Sequence, residues 1–412
     1  MPHWAIFTET STPVRELLNF LLNGPYPDGF EALHSMKGVL FSTTEIAWFI
    51  EEELRHDRKI LSKNSHQSLQ SMSSGERKKA LFSHLLSQQP DYMILDNAFD
   101  NLDVPTREYF TETIHRLKSS MSIIQVLSRK SDLLPFIDRY ATWHQDQLSW
   151  YDKIPATADL SVKENKYFNQ PLPSPLERVA YQQKILIELR NVSVSYGNKP
   201  ILDKINWKIK PGEFWELKGA NGSGKTTLLS LITGDNPKGY GQELYLFGNI
   251  KGSGESVWDI KKQIGYITPA LTDRFRGYHT IENMLISGLV DSIGLYIQPT
   301  DEQKKLAVSW LSLLGLAEQR DTYFHDLGKG QQRLIMCARA MIKQPLLLIL
   351  DEPTSDLDDN AAEMVIQLVN KLGKESDTAI VFVSHREEPG LKPKSILKLS
   401  ASLHGSVGNI LK

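Results

Sequence analysis

The sequence predicts an α/β protein with parallel-sheet cores, in which one architecture is written twice. Three observations predict this. A short apolar strand (Phe214, Trp215, Leu217) runs into a Gly-rich loop and then into a helix-like run (Leu228, Leu229, Leu231, Ile232). The unbroken apolar runs 346–350 and 379–383 read as strands buried on both faces of a parallel sheet. Residues 72–103 align without a gap on residues 327–358.

The length of 412 residues points to two or three domains. A formal net charge of -2 argues against a general polyanion binder and gives no strong nucleic-acid signal. The basic runs at 55–59 and 77–79 read as solvated helix faces. No apolar run approaches the ~20 residues of a membrane helix, and the N-terminus lacks the pattern of a secretory signal. Cys337, the one cysteine, excludes an internal disulfide and a multi-cysteine metal site; it reads as a small core residue. The expected location is the cytoplasm, with docking at the inner face of the cell membrane open to it through a partner.

The Gly-rich loop is Gly219-Ala220-Asn221-Gly222-Ser223-Gly224-Lys225-Thr226-Thr227. It fits the pattern Gly, four residues, Gly-Lys-Thr, which cradles phosphates on backbone N–H groups and a helix N-terminus. Lys225 is expected to reach the β/γ-phosphates of a nucleotide and Thr226 to ligate Mg²⁺. Upstream, Tyr196 precedes Gly197 in a turn, where an aromatic ring can stack on a base. A helical segment is expected over 301–314, and a further helix opens after residues 326–332. The strand 346–350 ends in Asp351-Glu352, in the crevice where open parallel sheets bind ligands. Asp351 suits a Mg²⁺ ligand and Glu352 a base that deprotonates an attacking water. The strand 379–383 ends in Ser384-His385, which brings a histidine to the same crevice.

From about residue 185 to the end, these motifs resemble the ATP-binding cassette (ABC) ATPases in order and spacing. The resemblance implies two P-loop ABC nucleotide-binding domains, each with a parallel-sheet core and a helical signature subdomain. It implies ATP and Mg²⁺ as ligands, and it puts Tyr196 at the adenine-stacking position. Two departures stand out. The family signature Leu-Ser-Gly-Gly-Gln reads Leu327-Gly328-Lys329-Gly330-Gln331, without its serine, and Pro269 replaces the glutamine expected after Gly265-Tyr266-Ile267.

The first half reads as a decayed copy. Trp4 aligns with Trp215 and Leu17-Leu18 with Leu228-Leu229, which places Val14 at the lysine position of the loop and Arg15 at the threonine position. Pro13, the lost glycines, and Glu9 and Glu16 all oppose phosphate binding. Asn97 stands where Glu352 does, and its amide cannot serve as a base. Gly38-Val39-Leu40 is matched to Gly265-Tyr266-Ile267, and Arg129 to His385. Ser73-Ser74-Gly75 nevertheless keeps the signature serine and glycine. The sequence begins inside an expected core strand, so either this domain is trimmed of the strands that normally precede it or the start is misplaced.

The expected organisation is a truncated, degenerate domain over 1–151, a Pro-rich linker over 152–184 and an active domain over 185–412. ABC domains pair head-to-tail, so the resemblance implies intramolecular pairing. The intact loop, Asp351, Glu352 and His385 would then share one ATP site with Ser73, Ser74 and Gly75. Further segments, 252–262 and 288–294, resemble the ModF/PhrA-type tandem ABC ATPases, a family named for molybdate transport and photorepair. That resemblance implies an ATPase that energises or regulates transport with separate membrane-spanning subunits. The alternatives are a soluble ABC ATPase acting on ribosomes or nucleic acid, and an ATP-dependent switch.

Overall fold

In a computed structural model of the chain, described over residues 1–9, 12–63, 67–155, 168–177, 181–272, 274–275 and 277–411, the polypeptide divides into two units. Unit 1 comprises residues 1–161 and 356–360; unit 2 comprises 162–355 and 361–412.

Unit 1 contains β1 (Trp4–Thr8), α1 (Arg15–Asn23), β2 (Gly38–Phe41), α2 (Thr43–His56), α3 (Ser74–Ser87), β3 (Tyr92–Asp96), α4 (Val104–Leu117), β4 (Ser122–Leu127), β5 (Arg139–His144) and β6 (Gln147–Tyr151). Its six-stranded sheet has the order β2-β3-β4-β1-β5-β6, parallel except for the β5–β6 hairpin. All five residues of β1 are buried, as its apolar sequence requires at the middle of a covered sheet. One face packs on Leu17 and Leu21 of α1 with Trp4, Phe30 and Trp143; the other packs on Leu81, Phe82, Phe110 and Ile114 of α3 and α4.

Unit 2 contains β7 (Ile187–Tyr196), β8 (Lys199–Ile209), β9 (Phe214–Gly219), α5 (Lys225–Ile232), β10 (Glu243–Leu246), β11 (Asn249–Ile250), α6 (Val257–Lys262), β12 (Ile264–Ile267) and α7 (Pro269–Thr272). It continues with α8 (Ile281–Ser287), α9 (Asp301–Leu314), α10 (Lys329–Met341), β13 (Leu347–Asp351), α11 (Asp359–Glu375, its first two residues grouped with unit 1), β14 (Ala379–Ser384), β15 (Ser395–Ser400) and β16 (Val407–Leu411). The main sheet has the order β12-β13-β14-β9-β15-β16, the order of unit 1 strand for strand. A second, antiparallel sheet, β11-β10-β7-β8, shares a core with it: Val192 and Trp207 join Leu229 of α5 and Trp215, Ile349 and Val381 of the main sheet. Cys337 is buried on α10, and burial pushes its thiol up to about 12.

The strand registers correct two of the expected equivalences. Leu347, the counterpart of Tyr92, pairs with Ile264, whereas Tyr92 pairs with Gly38. Gly38 therefore occupies the place of Ile264, and Val39 that of Gly265. The two glycines also answer different needs. A Cβ on Gly38 would fall 2.1 Å from the Tyr92 ring, while one on Gly265 would meet the Ala340 carbonyl oxygen at 2.2 Å. Likewise Asp351 pairs with Val383 and Asp96 with Val126, so the residue two beyond each partner is His385 in unit 2 and Ser128 in unit 1. Ser128, not Arg129, takes the place of His385. Ser128-Arg129 and Ser384-His385 match by residue type one position away from the strand register.

Of the Pro-rich segment, residues 156–167 and 178–180 lie outside the described residues, as do Thr10 and Ser11 of the altered loop. Residues 171–175 take neither helix nor strand, as their prolines require. The Leu172 N–H donates to Glu375 Oε2 at 3.3 Å, and Gln344 Nε2 donates to the Pro173 carbonyl at 2.9 Å.

Candidate active site

The Gly-rich loop joins the C-terminal end of β9 to α5. Gly224 ends the loop at φ 90°, a conformation that costs a side-chain-bearing residue dearly, and a Cβ there would lie 2.7 Å from Leu202 Cδ2. No side chain caps the first turn of α5, so its leading N–H groups and the positive end of the helix face the loop. Lys225 is buried and donates from Nζ to the carbonyls of Gly219 (2.6 Å) and Ala220 (3.1 Å), which folds its ammonium group over the loop. A cavity of about 410 Å³ opens here, lined by Asn221, Gly222, Gly224, Lys225, Thr226 and Thr227 together with Asp351 and Glu352. Ser223 is buried beside it, and its Oγ finds no hydrogen-bond partner among the described residues.

Asp351 closes β13 and Glu352 begins the turn that follows. Burial and the neighbouring Glu352 charge push the Asp351 carboxyl up to about 6, against the pull of Lys225 and the Tyr266 hydroxyl. Burial alone would also raise Glu352. The hydrogen bond from His385 outweighs it, together with the charges of His385, Lys225 and Arg386, and holds Glu352 below its ordinary value. Glu352 is thus an ionised acceptor at neutral pH. His385 Nδ1 lies 3.0 Å from Glu352 Oε1, while His385 Nε2 is buried without a hydrogen-bond partner among the described residues. With Nδ1–H donated to the carboxylate, Nε2 is the ring position left for a further group.

These features fit a Mg²⁺–nucleotide. Among the described residues no cluster of three or more His, Cys, Asp or Glu side chains could hold a metal alone. Thr226 and Asp351 would contribute two oxygens, and phosphate oxygens and water would complete the shell, as Mg²⁺ prefers. A raised, buried carboxylate is the kind of group such a cation stabilises in its charged form.

Comparison with known proteins agrees with this geometry. The ABC transporter family profile matches residues 202–355. The ABC transporter ATP-binding protein ModF of Escherichia coli is 38% identical over 77% of this chain and 67% of its own length. The chain is an ABC ATPase. An uncharacterised ABC transporter ATP-binding protein of Schizosaccharomyces pombe is 29% identical over 90% of this chain and 80% of its own. Among solved structures, a bacterial ABC transporter cassette determined as a dimer aligns at a TM-score of 0.43, with 28% identity over 52% of this chain and 93% of that one. No described helix of this ABC ATPase is long and apolar enough to cross a membrane.

The structure gathers most of the expected site residues of unit 2 around one cavity, but Gly219, Ser223, Tyr196 and His385 are not in its lining, and His385 reaches it through Glu352. Gly219 ends β9 just outside the lining. Tyr196 ends β7, 48% exposed and outside the lining, with its hydroxyl accepting from Asn236 Nδ2 at 2.9 Å. Pro269 does line the cavity, at the position where the family has glutamine. Sequence reasoning missed Lys199 and Ile201 on β8, which also line it; no motif marks them. It also missed the Tyr266 hydroxyl on Asp351.

Unit 1 presents a different surface at the matching places. The Trp143 indole donates to the Pro13 carbonyl at 3.3 Å, beside the start of α1. Asn97 Oδ1 accepts from both the N–H and the Oγ of Ser128, each at 3.0 Å, where unit 2 pairs Glu352 with His385. Ser73 caps α3 in a capping box: its Oγ accepts from the Glu76 N–H at 3.3 Å, and its own N–H donates to Glu76 Oε2 at 2.7 Å. Ser74 Oγ donates to the Asn101 carbonyl at 3.2 Å, and the Gly75 backbone packs near Thr106.

Proposed function

We propose that this ABC ATPase hydrolyses ATP at one composite site and uses the cycle to energise or regulate a transport process. The observation that carries the reading is the segregation of competent groups. Unit 2 holds the phosphate loop, Asp351 and Glu352 around one cavity, with His385 bonded to Glu352. Unit 1 has Asn97 and Ser128 in place of that pair, yet presents Ser73, Ser74 and Gly75 at a helix N-terminus. Head-to-tail pairing of the two domains, 1–151 and 185–412, would add those three residues to the γ-phosphate side of the loop.

In the proposed mechanism the loop N–H groups and Lys225 hold the β- and γ-phosphates, with Tyr196 stacking on the base. Thr226 and Asp351 would hold Mg²⁺, which supplies neutralisation of phosphate charge when bound. Glu352 accepts the proton of the attacking water, and His385 fixes the carboxylate and offers Nε2 to the γ-phosphate. The transport role draws on relatives named as ABC transporter ATP-binding proteins. It implies separate membrane-spanning subunits at the inner face of the membrane, with molybdate uptake as the process the ModF/PhrA resemblance favours.

The test is ATP turnover and binding in Glu352→Gln and Ser73→Ala. Glu352→Gln should lose turnover by about 100-fold, the scale of a lost general base, and still bind ATP; Ser73→Ala should also lose about 100-fold, the scale of a lost hydrogen-bond donor to the transition state. Normal turnover in Ser73→Ala would remove the composite site and leave unit 2 to act without it.

A further inference from the structure

The turn that carries Glu352 is unusual in its backbone. Glu352 lies in the left-handed region at φ 52°, and its N–H donates to the Val383 carbonyl at 3.0 Å. That conformation aims the carboxylate at His385, and a non-glycine residue keeps it only where the surroundings over-determine it. A single buried side chain gathers three carbonyls of the turn. Arg333 of α10 donates from Nη1 to the Glu352 carbonyl at 3.1 Å and the Pro353 carbonyl at 3.0 Å, and from Nη2 to the Ser355 carbonyl at 3.4 Å. Arg333 is 7% exposed, and its planar fork reaches acceptors that no single point donor could hold in one geometry.

Unit 1 contains an independent instance of the device. Asn97, at φ 42°, begins the matching turn, and its N–H donates to the Val126 carbonyl at 2.9 Å. Lys78 of α3, the counterpart of Arg333, donates from a buried ammonium to the carbonyls of Ala98 (2.8 Å) and Asp100 (2.6 Å). Lysine therefore suffices to hold this turn where the turn carries no base. The fork stands where Glu352 must be aimed.

We infer that Arg333 is a positioning residue for hydrolysis: it fixes the turn through its carbonyls, so that Glu352 meets the attacking water in register with His385. Because Arg333 sits on α10, two residues beyond the Gly328–Gln331 signature segment, it also ties that helix to the base-bearing turn. The inference rests on Glu352 being the base, as proposed above. Arg333 donates to backbone carbonyls of the turn and is not among the residues that line the cavity, so its loss should act on the chemical step and spare nucleotide binding.

The experiment measures kcat and KM for ATP in the full chain for Arg333→Lys, Arg333→Met and Glu352→Gln. Arg333→Lys, which keeps the charge and copies unit 1, should fold and lose roughly tenfold in kcat; Arg333→Met should lose about 100-fold, the scale of a displaced catalytic group. KM should stay within about twofold in both, as expected for loss of an interaction felt in the transition state. If Arg333→Met does not fold, Arg333→Lys decides alone. A wild-type kcat in Arg333→Lys, or a loss confined to KM, would overturn the inference. If Glu352→Gln itself turns over normally, the assignment of the base fails first; if it is inactive while the Arg333 variants are normal, only the positioning role falls.

Discussion

The turn after β3 and the turn after β13 share a backbone and differ in chemistry. Both begin with a left-handed residue whose N–H bonds the neighbouring strand, and both are held from a helix by a buried cation. One carries Glu352 against His385; the other carries Asn97 against Ser128. The lesson is that the turn keeps its backbone in both units whatever side chains it carries. Backbone groups buried beside a sheet need partners whether or not a reaction takes place. The side chains proposed to serve the phosphate are the ones that differ between the two turns. The covering of the central strands changed too. In unit 2, α5 lies in a core shared by two sheets; in unit 1, the matching face is closed by α1 and an aromatic group that includes Trp4, Phe30 and Trp143.

Paired substitutions at the two turns give the largest contrast. Glu352→Gln should lower turnover by about 100-fold, whereas Asn97→Gln should leave it within about twofold, because an amide at that place takes no proton. Steady-state ATPase assays check both, and a matching loss in Asn97→Gln would break the contrast. A smaller effect separates the two sheet-edge glycines. Gly38→Ala should destabilise unit 1 by about 1–3 kcal/mol, as overpacking does, since the new methyl meets the Tyr92 ring, whose hydroxyl is anchored on the Leu21 carbonyl at 2.7 Å. Denaturant melts report it, and an unchanged midpoint would mean that the ring moves aside.

The smallest effect belongs to the antiparallel sheet of unit 2. Arg190 and Lys208 pair with Glu188 at 2.9 and 2.8 Å and hold its carboxyl down to about 2. A lowered carboxyl stabilises the fold above its unfolded value, about 4.3, and that contribution disappears as pH falls towards 2. Glu188→Gln should therefore be slightly less stable than the native chain at pH 7, with the gap closing between about pH 5 and 2. Urea midpoints across that range test it; a gap that widens on acidification would contradict the assignment.

Much of this was legible in the sequence because the signals are local. The strand–loop–helix around Gly219–Thr227 and the apolar run before Asp351 each carry their mechanism in consecutive residues, and α9 fills the expected 301–314. The repeat was legible where no insertion intervenes, from 72 to 103. It was misread by one residue at Gly38 and again at Ser128, where short strands flanked by loops of unequal length leave register to cross-strand pairing. The Arg333 and Lys78 clamps were not legible at all. They join residues about 20 apart through backbone carbonyls, and carbonyl acceptors leave no trace in residue type.

The central claim is a single competent nucleotide site, and the stoichiometry of ATP on the full chain tests it most directly. Equilibrium binding with Glu352→Gln, which should bind without turning over, is expected to saturate at one ATP per chain and to vanish in Glu352→Gln with Lys225→Ala. Two ATP per chain, or one retained after loss of Lys225, would contradict the account and show that unit 1 binds nucleotide through groups other than a phosphate loop.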